Sequence, residues 1–282
     1  MNFCTESCAD YRVRVLIRYT FCAFQARQTC PRDLFMQLQD ILYAQGFGTR
    51  RVCAGLIQQG HVAVYPVSGA GAAEVCTEAA AEFDDEGLRL RVQGLEWACH
   101  RRACIMLHKP AGIECSQKPS AWPSVYTLLP APLRQRPNKG AVQGVQAIGR
   151  LDQDTTGLLL LTDDGQLIHR LAAPRHEVPK VYEVMLKHPA GERELQLLLS
   201  GVVLDDDPRP VRAAACELID PQHLRLTLTG GKYHQVKRMV AAVGNRVETL
   251  HRSRIGGLQL PADLAPGQWR WLEAADLALI PV

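Results

Sequence analysis

The sequence predicts an α+β protein in two units, a small N-terminal module and a larger domain on a mixed, mainly antiparallel sheet. Three observations predict it. Stretches with alternating apolar residues at 180–186 and 224–229 read as half-buried strands. Helical patterns are few and short, and glycine- or aspartate-rich turns such as Asp163-Asp164-Gly165 separate the strands, which suits hairpins better than a doubly wound sheet. The chain of 282 residues, 47% hydrophobic and 22% charged, is long enough to bury two modest cores.

Taken in order, residues 1–33 hold four of the ten cysteines and show no sustained period. They are expected to be an extension, disordered or an artefact of start-codon choice, with Met36 an alternative start. The small module is expected over 34–95. Leu38, Ile41, Leu42 and Gln45 share one helical face, and Gly46 takes the left-handed position that ends it. Thr49 caps a second helix carrying Arg50, Arg51, Val52, Ala54, Leu56 and Ile57, which Gly60 closes. His61-Val62-Ala63-Val64-Tyr65 alternates like a strand, and Asp84-Asp85-Glu86-Gly87 reads as a turn. A linker is expected near 92–103.

The larger unit is expected over 103–278. Cys104-Ile105-Met106-Leu107 reads as a buried strand leading to His108-Lys109-Pro110, and Pro123, Pro130, Pro132 and Pro137 make the next stretch loop-rich around one helical turn at 125–129. Four consecutive leucines, Leu158 to Leu161, predict a strand buried on both faces. A helix over 166–172 stops at Pro174. The strand at 180–186 places Tyr182, Val184 and Leu186 on one face, and a short helix follows near 195–199. Beyond the 224–229 strand, Gly230-Gly231 precedes a helix with Val236, Met239, Val240 and Val243 on one side and Gly244 at its end. No internal repeat is present.

Composition narrows the function. The ten cysteines form no Cys-x-x-Cys pair, and no metal site is expected. With no secretory cleavage site, reduced thiols in a cytoplasmic protein are expected. The apolar stretch 13–24 is interrupted by Arg14 and Arg18 and is too short to span a membrane. Net charge is only +3, but residues 225–254 carry Arg225, Lys232, Lys237, Arg238, Arg246, Arg252 and Arg254 against the single acid Glu248. Such a block suits phosphates, or is a solvated basic face.

The chemistry is expected in Gly149-Arg150-Leu151-Asp152-Gln153-Asp154-Thr155-Thr156-Gly157. Asp152 and Asp154 stand at the mouth of the leucine strand, where burial and neighbouring cations set their ionisation. The residues alone also allow an ordinary polar turn. Asp152-x-Asp154-x-Thr156 further fits the Mg²⁺-dependent phosphotransferases that form an aspartyl phosphate. There, however, the apolar strand precedes the aspartates, and Asp163-Asp164 is too near to serve as the distant metal pair.

Two family resemblances sharpen the choice. Residues 34–69, with helix, Gly46, Thr49-Arg50-Arg51, helix, Gly60 and Val62-x-Val64, resemble the S4 RNA-binding domain; its usual Asn-Gly is replaced by Tyr65-Pro66-Val67-Ser68-Gly69. Gly149-Arg150-Leu151-Asp152-x-Asp154-Thr155-x-Gly157-Leu158 resembles the signature of rRNA pseudouridine synthases that carry an S4 domain. Met106-Leu107-x-Lys109-Pro110-x-Gly112, Lys180-Val181-Tyr182 and Gly231-Lys232-Tyr233-His234-Gln235-Val236-Lys237-Arg238-Met239 follow the family's order. Within it, the last run is closest to the small-subunit type, which implies uridine 516 of 16S rRNA as target. A 23S target in the same family, or a non-catalytic S4-type assembly factor, are the alternatives.

The resemblance implies Asp152 as nucleophile or base, Tyr182 stacked on the uracil, and Lys237, with Arg238 as second choice, as the cation beside Asp152. Helical spacing turns Arg238 about 100° away from Lys237. It implies RNA contacts at Arg50, Arg51, Arg150, Lys109, Arg238 and Lys232. Arg150 serves either an adjacent phosphate or Asp154. His234 and His251 either contact RNA or are satisfied structural histidines, and neither is read as a general base. No cofactor is expected. The implied partner is ribosomal RNA, 16S foremost, within a partly assembled small subunit or free, with the protein a monomer.

Overall fold

The computed structural model describes residues 35–66, 71–85, 87–138, 143–173, 176–205 and 207–280. The expected extension over 1–33 lies outside them, as do Ser68, Gly69, Glu86 and Pro174. β1 (Phe35–Gln37) leads into α1 (Leu38–Gln45), which buries the predicted face of Leu38, Ile41, Leu42 and Gln45. Gly46 ends α1 at φ 92°; a Cβ there would lie 2.1 Å from the Pro132 carbonyl oxygen, so the position needs glycine for space as well as for backbone. α2 (Arg50–Gln58) starts on Thr49, whose hydroxyl accepts from the Val52 N–H at 3.3 Å. The chain continues through β2 (Val62–Val64), β3 (Glu74–Val75), β4 (Glu82–Asp84), β5 (Arg89–Val92) and β6 (Leu95–Ala98). β3-β2-β5-β6 form an antiparallel sheet, and β1 pairs with β4.

The linker expected near 92–103 is in part a strand. β5 and β6 close a hairpin through Gln93 and Gly94, both with positive φ, and turn Leu90, Val92 and Trp97 inward. Alternation over Arg89–Val92 and Leu95–Ala98 carries that signal, but Gln-Gly is a weaker hairpin turn than Asn-Gly.

The larger unit contains β7 (Cys104–Lys109), a 3₁₀ turn at Val125–Leu128, α3 (Ala131–Gln135), β8 (Gln146–Ala147), β9 (Thr156–Thr162), α4 (Gly165–Ala172), β10 (Lys180–Leu186) and α5 (Glu192–Ser200). After these come β11 (Val202–Leu204), β12 (Asp207–Val211), β13 (Ala215–Asp220), β14 (His223–Leu228), α6 (Gln235–Ala242), β15 (Val247–Ile255), β16 (Leu258–Gln259), β17 (Trp269–Trp271) and α7 (Ala274–Ala278). The main sheet runs β13-β14-β10-β15-β9-β7-β17, antiparallel throughout except where β15 lies parallel to β9. This is the mixed, mainly antiparallel α+β architecture. α3 was not expected among so many prolines, yet Pro130 caps it and Pro132 occupies its first turn, where a missing N–H has no consequence.

β9 is buried on both faces. Leu159 and Leu161 join a core with Leu38, Ile57 and Trp97, whereas Leu158 and Leu160 pack with Met106, Ile255 and Leu272. One core is therefore shared between the α1–α2 module and the main sheet. A buried polar node crosses the same junction. The Arg136 guanidinium, 2% exposed, donates to Asp163 Oδ2 at 2.6 Å, to Gln45 Oε1 at 2.8 Å and to the His100 carbonyl at 2.7 Å.

Candidate active site

The predicted carboxylates sit on a turn at the entrance of β9. Thr155 N–H donates to the Asp152 carbonyl at 3.1 Å, and Gly112 N–H to that of Gln153 at 2.8 Å. Beneath the turn, fully buried Lys109 donates from Nζ to the carbonyls of Pro110 (3.0 Å), Gln153 (3.3 Å) and Thr155 (2.9 Å). Lys109 was expected to touch RNA, and that expectation is corrected: burial and three main-chain acceptors commit its ammonium to the turn. Desolvation pulls its pKa below that of an ordinary lysine. Behind the turn Gly157, at φ 109°, passes so close to β15 that a Cβ would lie 2.3 Å from the Arg252 carbonyl oxygen.

This places Asp152, its side chain 26% exposed, in the wall of a cleft also lined by Tyr182, Lys180, His234, Gln235 and Arg252. Tyr182 reaches the cleft because β10 alternates; the same face carries Val184 and Leu186 into the core. α6 delivers Lys237, whose Nζ lies 3.3 Å from Asp152 Oδ2 and 2.6 and 2.8 Å from the two oxygens of Asp154. The structure thus brings Asp152 and Tyr182 into one cleft and sets Lys237 against the Asp152 carboxylate. It also gives Asp154 the shorter contact with Lys237, where an arginine partner or a turn role was expected. Burial works to raise the Asp154 pKa, but the hydrogen bond and charge of Lys237 outweigh it, and the carboxyl falls below its usual range. Lys237 is desolvated too, yet Asp154 and Asp152 together hold its pKa above that of a free lysine.

Arg238 points elsewhere, donating to the Tyr233 carbonyl at 3.2 Å, as its place on the helix demands. Arg150 is exposed beside Asp152 in the cleft wall, and no hydrogen bond or ion pair among the described residues joins it to Asp154. Lys232, exposed, lines the cleft at its Gly230-Gly231 end. In the small module, Arg51 is exposed, whereas Arg50 pairs with Asp40 at 2.6 Å and covers the Tyr43 ring at 4.2 Å.

Sequence reasoning set two residues aside that the structure brings in. His234, for which the sequence allows an RNA contact or a structural role, has Nε2 3.4 Å from Asp152 Oδ1. Arg252 belonged to the basic block but is 2% exposed; its Nε donates to the Leu158 carbonyl at 2.8 Å, and its Nη2 is buried with no hydrogen-bond partner among the described residues. The block is no single face, since Arg225 is also engaged, with Glu183 and Glu217. His251 fits the structural reading: its Nδ1 sits 2.9 Å from the Thr156 hydroxyl, and burial, then the charge of His108, lowers its pKa. Asp163, already too near in sequence to serve the aspartyl-phosphate alternative, is bound by Arg136.

Fold and site together describe a mixed-sheet domain with a cleft in which a carboxylate, Asp152, stands among the cations Arg150, Lys180, Lys232 and Arg252. Comparison with known proteins narrows that description. Residues 103–242 match the family described as RNA pseudouridylate synthase. The chain is 45% identical over 176 residues to ribosomal small subunit pseudouridine synthase A of Yersinia pestis, a match covering 62% of this chain and 72% of the relative. It is 36% identical over 245 residues to the protein of the same name from Vibrio vulnificus, covering 86% of this chain and 98% of that one. A solved structure titled as a crystal structure of pseudouridylate synthase superposes with TM-score 0.57 at 31% identity, covering 86% of this chain and 98% of the other. The chain belongs to the RNA pseudouridylate synthase family.

Proposed function

We propose that the protein isomerises a uridine of small-subunit ribosomal RNA to pseudouridine, that the target is uridine 516 of 16S rRNA, and that Asp152 performs the chemistry. The observation that carries this reading is that Asp152 and Tyr182 line one cleft while Lys237 Nζ lies 3.3 Å from the Asp152 carboxylate. The names of the Yersinia pestis and Vibrio vulnificus relatives favour the small subunit.

The reaction breaks the N1–C1′ bond, turns the uracil and forms a C5–C1′ bond. The C5 proton leaves and N1 gains one, so the formula is unchanged and no oxidant, reductant or cofactor is called for. Asp152 acts as nucleophile or base, and Lys237 is the cation beside it, with Nζ 3.3 Å from Oδ2. Tyr182 supplies a ring face for the uracil. A stacked base cannot reach the cleft, so the target nucleotide is flipped into it.

In this reading residues 34–95 are an S4-like RNA-binding domain, 103–278 the catalytic domain, and the protein acts as a monomer in the cytoplasm. Arg51, Arg150, Lys232 and Arg238 contact RNA, while Arg50 contributes less because Asp40 already pairs with it. The test is to treat unmodified 16S and 23S transcripts with protein and map pseudouridine by carbodiimide-dependent reverse-transcription stops. A stop at the target uridine of 16S is expected, absent with Asp152→Asn, which keeps RNA affinity because phosphate contacts lie elsewhere. Absence of stops in both RNAs, or unchanged stops with Asp152→Asn, overturns the proposal.

A further inference from the structure

One aromatic residue beside the cleft is spent neither on the core nor on the chemistry described above. Tyr233 is 68% exposed, the most exposed of the large hydrophobic side chains among the described residues. It lies between Lys232 and His234, which both line the cleft. One face of its ring is stacked on the His234 imidazole, with centroids 3.8 Å apart and planes 19° from parallel, and the other face is open. His234 holds this stack from a backbone at φ 47°, a left-handed conformation that a non-glycine residue adopts only against strain. The same residue reaches Asp152 Oδ1 with Nε2, at 3.4 Å. Thus a strained residue fixes, at one point, the distance between an open aromatic face and the carboxylate. Exposed Lys232 and Arg150 add positive charge beside the cleft.

A flat, exposed ring held rigidly near a cationic cleft matches what unpaired bases require, since every base has a face to stack and a phosphate to neutralise. We propose that Tyr233 is a stacking platform for the RNA base flanking the flipped uridine, and that His234 acts as the positioning residue that holds it. Flipping removes a stacking partner from that neighbour, and the open face of Tyr233 replaces it. The inference rests on the activity proposed above and names a further substrate contact of the same site.

The test uses the full-length protein and a 16S-derived RNA carrying 2-aminopurine on either side of the target uridine. With wild type, fluorescence at one of the two positions is expected to fall as the ring stacks. Tyr233→Ala should abolish that quenching and raise KM by about tenfold while leaving kcat within about twofold. Tyr233→Phe should behave as wild type, because the ring face and not the hydroxyl carries the contact. The residue is exposed, so unchanged melting of both variants is expected and excludes misfolding. A Tyr233→Ala enzyme with wild-type KM and quenching, or a Tyr233→Phe enzyme as impaired as Tyr233→Ala, overturns the platform alone. Wild type that forms no pseudouridine in either rRNA overturns the parent proposal and this one with it.

Discussion

Replacing Arg136 by methionine isolates the polar node at the junction of the two units. In the intact protein Asp163 Oδ2 takes the Arg136 Nε–H at 2.6 Å and Oδ1 takes the Ala103 N–H at 2.9 Å, with the two side chains only 2% and 6% exposed. Gln45 Oε1 has other donors, Trp97 Nε1 and the His100 N–H, both at 3.2 Å, so it is not orphaned by the change. The His100 carbonyl likewise keeps Gln45 Nε2 at 3.1 Å. The loss is therefore concentrated on one buried carboxylate left without its counter-charge, a perturbation worth about 3–5 kcal/mol. That is a large share of the roughly 5–15 kcal/mol that holds a typical protein folded. Urea unfolding followed by tryptophan fluorescence reads it, because Trp97 packs edge-on to Phe47 and Trp271 across the same junction. Adding Asp163→Asn removes the unpaired charge while keeping an acceptor for Ala103, and should restore about half of the lost stability. A single-variant loss below about 1 kcal/mol, or a double variant no more stable than Arg136→Met, refutes the assignment of the cost to the carboxylate.

The other predictions concern charge and thiols. Arg51→Ala should reduce the slope of log affinity for rRNA against log salt by just under about one unit, and Arg50→Ala by less because Asp40 neutralises it; equal effects in filter binding count against that distinction. The Asp154 carboxyl is depressed, so its contribution to stability is complete above the ordinary carboxylate pKa and fades only as pH falls through the lower folded value. Lys237 is raised, so its contribution is complete below the ordinary lysine pKa and fades as pH climbs through the higher folded one. Between about pH 6 and 9 neither group titrates, and single-turnover rates should show no inflection that Asp154→Asn removes. Burial pushes the Cys99 and Cys104 thiols up to about 12. Both should stay unalkylated by iodoacetamide at about pH 8 in the native protein and react once it is unfolded, as peptide mass mapping will report.

Local pattern carried most of the architecture. Leu158 to Leu161, the Tyr182 face of β10, the Leu224-Leu226-Leu228 face of β14 and the Val236-Met239-Val240 face of α6 are each written into a period of the sequence, and each is buried as that period demands. What local pattern does not hold is the partner chosen across the fold. Arg252 and Arg225 look alike in a basic block, yet β15 sets Arg252 alongside β9, where it donates to the Leu158 carbonyl, while β14 holds Arg225 on an exposed face between Glu183 and Glu217. Lys109 resembled an RNA contact for the same reason: only the return of the chain at Gln153 and Thr155 reveals three carbonyls waiting for its ammonium.

The pairing of Lys237 shows how this limit bears on the site. On sequence grounds one lysine and one carboxylate, Asp152, formed the working pair, with Asp154 outside it. In the fold the ammonium lies between both carboxylates and closer to Asp154. A cation shared in this way is held in place chiefly by Asp154, the carboxylate with the shorter contacts. Asp154 helps to keep Lys237 charged, and the longer 3.3 Å contact leaves Asp152 less tightly paired. A nucleophile gripped in a short bidentate pair must break that pair to attack, whereas one beside a cation already satisfied elsewhere keeps the benefit of the charge and its freedom to move. Asp154→Asn should accordingly slow the reaction without abolishing it, because Lys237 then collapses onto Asp152. A variant as inactive as Asp152→Asn in the same rRNA assay would show instead that Asp154 takes part in the chemistry itself.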